Sequence, residues 1–146
     1  MGAAHAQGRF DRYGYHPPKE AKVDVRQNGQ GNGAAVSQNG PANAAGVNQD
    51  GALNAGRISQ TGASNAAAIR QLGRGNDASI MQTGSNNVAC IVQVGKNLST
   101  DITQTGDGQS RGVVQTKKGT FEIPAQLCAV SPAGKGYWQR IGVKGY

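Results

Sequence analysis

Two cysteines, Cys90 and Cys128, and two histidines, His5 and His16, are the residues of this chain whose side chains suit a nucleophile, a base or a metal ligand. They make no site. Both histidines stand near the start of the chain, far from either thiol, and no catalytic or metal-binding spacing links the four. Asp50, Asp77, Asp101 and Asp107 occupy different places relative to the repeat, which sets aside a calcium-binding array. No glycine cluster leads into the Lys-Ser/Thr pair of a phosphate-binding loop. We therefore expect no enzyme, no metal and no cofactor. The group this sequence does place with regularity is the primary amide.

Glutamine occupies Gln27, Gln38, Gln49, Gln60, Gln71, Gln82, Gln93, Gln104 and Gln115, always eleven residues apart. With glutamine at roughly a tenth of the chain, chance gives eight further hits at a rate of order 10⁻⁸. Glycine follows at Gly29, Gly40, Gly51, Gly62, Gly73, Gly84, Gly95 and Gly106. Asparagine follows at Asn32, Asn43, Asn54, Asn65, Asn76 and Asn87, before Leu98 and Gln109 break the column. Branched aliphatics fill Val36, Val47, Ile58, Ile69, Ile80, Ile91, Ile102 and Val113, and a small residue stands two places before most of them. The unit is Q-x-G-x-x-N-x-A-x-[IV]-x.

The spacing within the unit dictates an element. The small residue, the aliphatic and the next glutamine are two apart, so an extended strand points all three to one face. Glycine and asparagine take the connection, where glycine reaches positive φ freely and asparagine tolerates it. A helix is excluded, since a glycine in every unit costs about 1 kcal/mol each time and the spacing fits no helical face. One strand-turn unit cannot bury its own face. Two units make a coil of 22 residues, and stacked coils pair each strand in parallel with its equivalent one coil away. The fold class expected is all-β: a parallel β-solenoid of eight units in four rungs, on the order of 19 Å tall. Each glutamine then lies over another 22 residues away, and the amides form a hydrogen-bonded ladder. A buried amide left unpaired costs about 1–3 kcal/mol, so the column demands such a partner.

This repeat resembles the curlin repeat of bacterial curli subunits, over Gln27 to Gln115, about three-fifths of the chain. The resemblance implies a secreted solenoid that crosses the outer membrane through a dedicated pore with accessory proteins. It implies assembly into extracellular functional amyloid of the biofilm matrix by end-to-end stacking of rungs. Four segments follow: a signal-peptide remnant at 1–6, an unrepeated export or linker segment at 7–26, the solenoid at 27–115 and a tail at 116–146. The remnant rests on Ala4-His5-Ala6, which has the small-x-small form of a cleavage site.

All seven aromatics lie outside the array, and the tail carries +4 of the total charge of +7. Phe121, Tyr137, Trp138, Arg140 and Lys144 are its candidate partner-binding residues. The positive charge suits an anionic partner such as an acidic polysaccharide, and no nucleic acid is expected as a specific target. One outer face of the solenoid is apolar, with Ala68, Leu72, Cys90, Val92, Val94 and Val114; the other is polar, with Met81 the exception. We expect the tail to fold back as a cap on the apolar face, stapled by a Cys90–Cys128 disulfide; free thiols and an intermolecular bond are the alternatives.

Three functions compete. The first is a structural subunit of adhesive, biofilm-forming curli-like fibres. The second is a minor nucleator or cell-surface anchor whose tail caps the solenoid and binds a partner. The third is a monomeric ligand-binding solenoid of ice-binding type, which wants rows of Thr-x-Thr and finds only Thr103 and Thr105.

Overall fold

The computed structural model describes residues 20–125. Ten strands follow in order: β1 (Lys22–Asn28), β2 (Gly33–Asn39), β3 (Ala44–Ala52), β4 (Ala55–Thr61), β5 (Ala66–Arg74), β6 (Asp77–Thr83), β7 (Val88–Lys96), β8 (Ser99–Thr105), β9 (Ser110–Thr116) and β10 (Gly119–Ile123). Odd strands form one sheet in the order β1-β3-β5-β7-β9-β10, and even strands the other in the order β2-β4-β6-β8. From β1 to β9 every pairing is parallel and offset by 22 residues, as in Val47↔Ile69 and Gln60↔Gln82. This is the parallel solenoid that the eleven-residue clock leads one to expect, with about four turns.

The core lies between the two sheets. Val47, Ile58, Ile69, Ile80, Ile91, Ile102 and Val113 are at most 4 % exposed. Full burial of each contributes about 1.5–3 kcal/mol. The small residues Ala45, Ala67, Ala78 and Ala89 join them. At Gly56 an added Cβ would meet Val47 Cγ1 at 3.0 Å, so that place in the column is already full.

The first six corner glycines, from Gly29 to Gly84, are each needed twice over. Gly62 has φ 113°, a conformation that L-residues rarely adopt. A Cβ there would also collide with the carbonyl oxygen of Gly84 in the next rung. The second positive φ of the corner falls one place ahead of the asparagine column, at Ala42, Leu53, Ser64, Asn86 and Asn97 and at Gly31, Gly75 and Gly108. The asparagines themselves do not adopt it, contrary to the sequence expectation, because their side chains are committed to bonds between rungs.

The array also starts earlier than Gln27. Strand β1 takes in Lys22 to Arg26, which the sequence reading gave to the linker, and pairs in register from Lys22↔Ala44 to Asn28↔Asp50. The unit was counted from its glutamine, but the strand lies on the residues before it. Val23 and Val25 therefore stand in the small and aliphatic columns.

The solenoid stops after β9 for a reason visible in the same columns. The next corner glycine falls at position 117, which is Lys117, and the next aliphatic at position 124, which is Pro124. A lysine cannot enter the corner that glycine makes, and proline cannot donate to a ladder. The chain turns at Gly119, φ 144°, and runs back as β10, antiparallel to β9 from Gly119↔Thr116 to Ile123↔Gly112.

Candidate assembly surface: amide ladders and solenoid ends

Two ladders run through the molecule on the inward faces of the strands. In the larger sheet Gln27 Nε2 donates to Gln49 Oε1 at 2.7 Å, and the series continues Gln49 to Gln71, Gln71 to Gln93 and Gln93 to Gln115. In the smaller sheet Gln38 donates to Gln60, Gln60 to Gln82 and Gln82 to Gln104 at 2.8–2.9 Å. From Gln38 to Gln104 the second N–H of each amide crosses the core to a backbone carbonyl 16 residues earlier, as from Gln71 to Ala55 and from Gln82 to Ala66. Gln49 through Gln104 are at most 2 % exposed, and no buried side-chain nitrogen or oxygen among the described residues lacks a partner.

The asparagines form a third system. Asn43, Asn54, Asn65, Asn76 and Asn87 are at most 1 % exposed. Each Oδ1 accepts the backbone N–H of the residue 22 places on, as from Asn65 to Asn43 at 3.0 Å. Each Nδ2 donates to a corner glycine carbonyl 19 places on, as from Asn43 to Gly62 and from Asn87 to Gly106. This accounts for Leu98 and Gln109. Their acceptors would stand at 117 and 128, beyond the last solenoid corner, so an amide there has nothing to reach. Gln109 Nε2 turns instead to Thr105 O at 2.6 Å.

The glutamine-to-glutamine bonds all point one way: each Nε2 is donated toward the C-terminal end of the stack and each Oε1 faces the N-terminal end. Among the described residues no donor reaches Oε1 of Gln27 or Gln38. At that end the outer strands β1 and β2 are paired on one side only, and Val23 and Val25 are 55 % and 44 % exposed. Their equivalents one rung higher, Ala45 and Val47, are 6 % and 2 % exposed.

The C-terminal end is built differently. Arg111 stands in the small column, on the inward face of β9, and its guanidinium pairs with Glu122 of β10 at 2.7 Å. Thr100, in the same column, donates to Gln115 Oε1 at 2.7 Å. Thr103, Gln104, Gln109, Arg111 and Glu122 line the open groove left above β8. Neither the arginine–glutamate pair nor the edge role of β10 was read from the sequence, although Arg111 in an alanine column was its signal.

On the outer face of the larger sheet Cys90, Val92 and Val114 are at most 5 % exposed, while Leu72 remains 39 % exposed. The chain beyond β10 reaches this face: Ala125 is fully buried, and its carbonyl lies 3.9 Å from Cys90 Sγ. The chain after β9 thus closes a sheet edge with β10 and reaches the outer face at Ala125. Cys90 is disulfide-bonded. Cys128, its expected partner, lies outside the described residues, as do Tyr137, Trp138, Arg140, Lys144 and residues 1–19. Phe121, on β10, is 54 % exposed.

The geometry defines a class: a parallel β-solenoid of eleven-residue strand-turn units, held by amide ladders and, among the described residues, open at its N-terminal rung. Two overlapping stretches, residues 54–84 and 74–106, match the family described as the curlin associated repeat. The curlin associated repeat is a structural repeat rather than a catalytic one. No curated protein matches the chain.

Proposed function

We propose that this protein is a secreted structural subunit of curli-like extracellular amyloid fibres, serving adhesion and the biofilm matrix, and joined to its neighbours by stacking of end rungs. The observation that carries the reading is the pair of amide ladders, which end, among the described residues, at unfilled glutamine acceptors on a rung paired on one side only. An edge of that kind templates further strands. The residues ahead of β1 direct export through a curli-type outer-membrane pore, and the basic tail beyond β10, stapled by Cys90–Cys128, meets acidic polysaccharide or a surface partner. A second reading, a minor subunit acting as nucleator or anchor, is favoured by β10, which occupies one sheet edge.

The test is cellular. Producing cells are extracted with hot detergent, and the residual fibres are probed with antibody to this chain by immunogold microscopy. Labelled, Congo-red-binding fibres outside the cell are expected. Protein recovered only as a detergent-soluble species would refute the reading.

A further inference from the structure

The two ends of the solenoid are chemically unlike, and the difference assigns them different roles. We propose that the N-terminal rung is a docking face for the C-terminal rung of another curlin-type solenoid, and that the C-terminal end of this chain is closed to the same contact. The chain therefore occupies one end of a stack rather than its interior, which is the place of the minor subunit in the second reading above. The inference rests on the rung-stacking reading and adds to it a polarity and a partner.

The partner follows from the chemistry of the N-terminal face. That face offers the Oε1 acceptors of Gln27 and Gln38, two strand edges and the exposed Val23 and Val25. It calls for amide N–H donors at the strand spacing and an apolar column in register with the valines. A repeat solenoid with a free last rung, stacked in the same direction, presents both. Two N-terminal faces meeting each other would set acceptor against acceptor, so head-to-head pairing gains no ladder bond.

Closure of the other end rests on where the chain places its strands. An arriving chain that continued the coil would set its first strand on β8 and its second on β9. The site on β9 is held by β10, running the opposite way. The site on β8 opens onto the groove where the Arg111–Glu122 pair stands, with side chains 48 % and 69 % exposed. Seating an apolar strand there would strip water from both charges. The corner needed to carry the coil onward is Lys117 instead of glycine.

The test uses the full-length chain and an opened form of it, Thr120→Pro, Phe121→Pro and Arg111→Ala, in which β10 no longer pairs. Elongation is followed at both fibre ends by two-colour fluorescence microscopy, with electron microscopy of the products. The native chain alone is expected to give no long fibres and the opened form to give fibres growing from both ends. A small molar fraction of native chain is expected to stop growth at one end only. Val25→Lys in the native background is expected to abolish that arrest with the circular dichroism of the monomer unchanged.

Long fibres from the native chain alone would overturn the proposal, and this arm needs no variant to fold. So would arrest that survives Val25→Lys. An opened form that keeps its strand spectrum yet stays monomeric would overturn rung stacking itself, and with it the function proposed above.

Discussion

A buried primary amide has two N–H groups and an oxygen to satisfy, and here a copy of the same residue 22 places away takes up one of each. The contribution of a glutamine thus depends on its height in the stack. Gln71→Leu leaves Gln49 without an acceptor and Gln93 without a donor, and it frees the Ala55 carbonyl inside the core. At about 1–3 kcal/mol for each stranded group, a loss of about 3–5 kcal/mol is expected in urea unfolding. Gln27→Leu, at the open end, breaks one part-buried bond and is expected to cost about 1 kcal/mol or less. Equal losses would mean that the ladder does not carry stability. The glycines divide in the same way. Gly62→Ala drives a Cβ into Gly84 O at φ 113° and is expected to cost more than about 3 kcal/mol. Gly108→Ala meets nothing within 4 Å, at φ 68°, and is expected to cost about 1 kcal/mol, read from the shift in thermal midpoint.

At the scale of the strand, position in the sheet decides rigidity. Strands β3 to β7 pair on both sides, whereas β1 and β2 pair on one side, β10 is a five-residue edge, and β8 closes the smaller sheet. Hydrogen exchange is expected to be slowest in β4 to β7 and fastest in β1 and β10, since edge amides open without the rest of the stack. Uniform protection along the chain would contradict this. The strands were the most legible part of the sequence, because small residue, aliphatic and glutamine at i, i+2 and i+4 admit little else. Their phase was harder. Counting from the glutamine concealed Val23 and Val25, since both precede the first glutamine and Val23 departs from the small residue of the later units. The left-handed position ahead of each asparagine left no signature, as it holds Gly, Ala, Leu, Ser or Asn and is imposed by the corner. The hairpin of β9 and β10 was written as two omissions, the glycine missing at Lys117 and the aliphatic missing at Pro124. Omissions identify where a repeat fails but not where the chain then goes.

For the molecule as a whole, identical units give a translation and the one-way bonds between their glutamines give it a direction. A stack built from such a chain has a donor end and an acceptor end, and decoration of one end alone, as by Arg111, Glu122 and β10, changes what the molecule does in an assembly without altering its core. The claim beneath all of this is the ladder with its polarity. It is tested most directly by NMR on uniformly ¹⁵N,¹³C-labelled monomer, through couplings across the hydrogen bond from each glutamine Nε2 to the side-chain carbonyl carbon of its acceptor. Seven correlations are predicted, from Gln27 to Gln49 and onward to Gln115 in one sheet and from Gln38 to Gln104 in the other, each pointing to the glutamine 22 residues later. Correlations running the opposite way, or amides coupled only to carbonyls outside the glutamine column, would contradict the account.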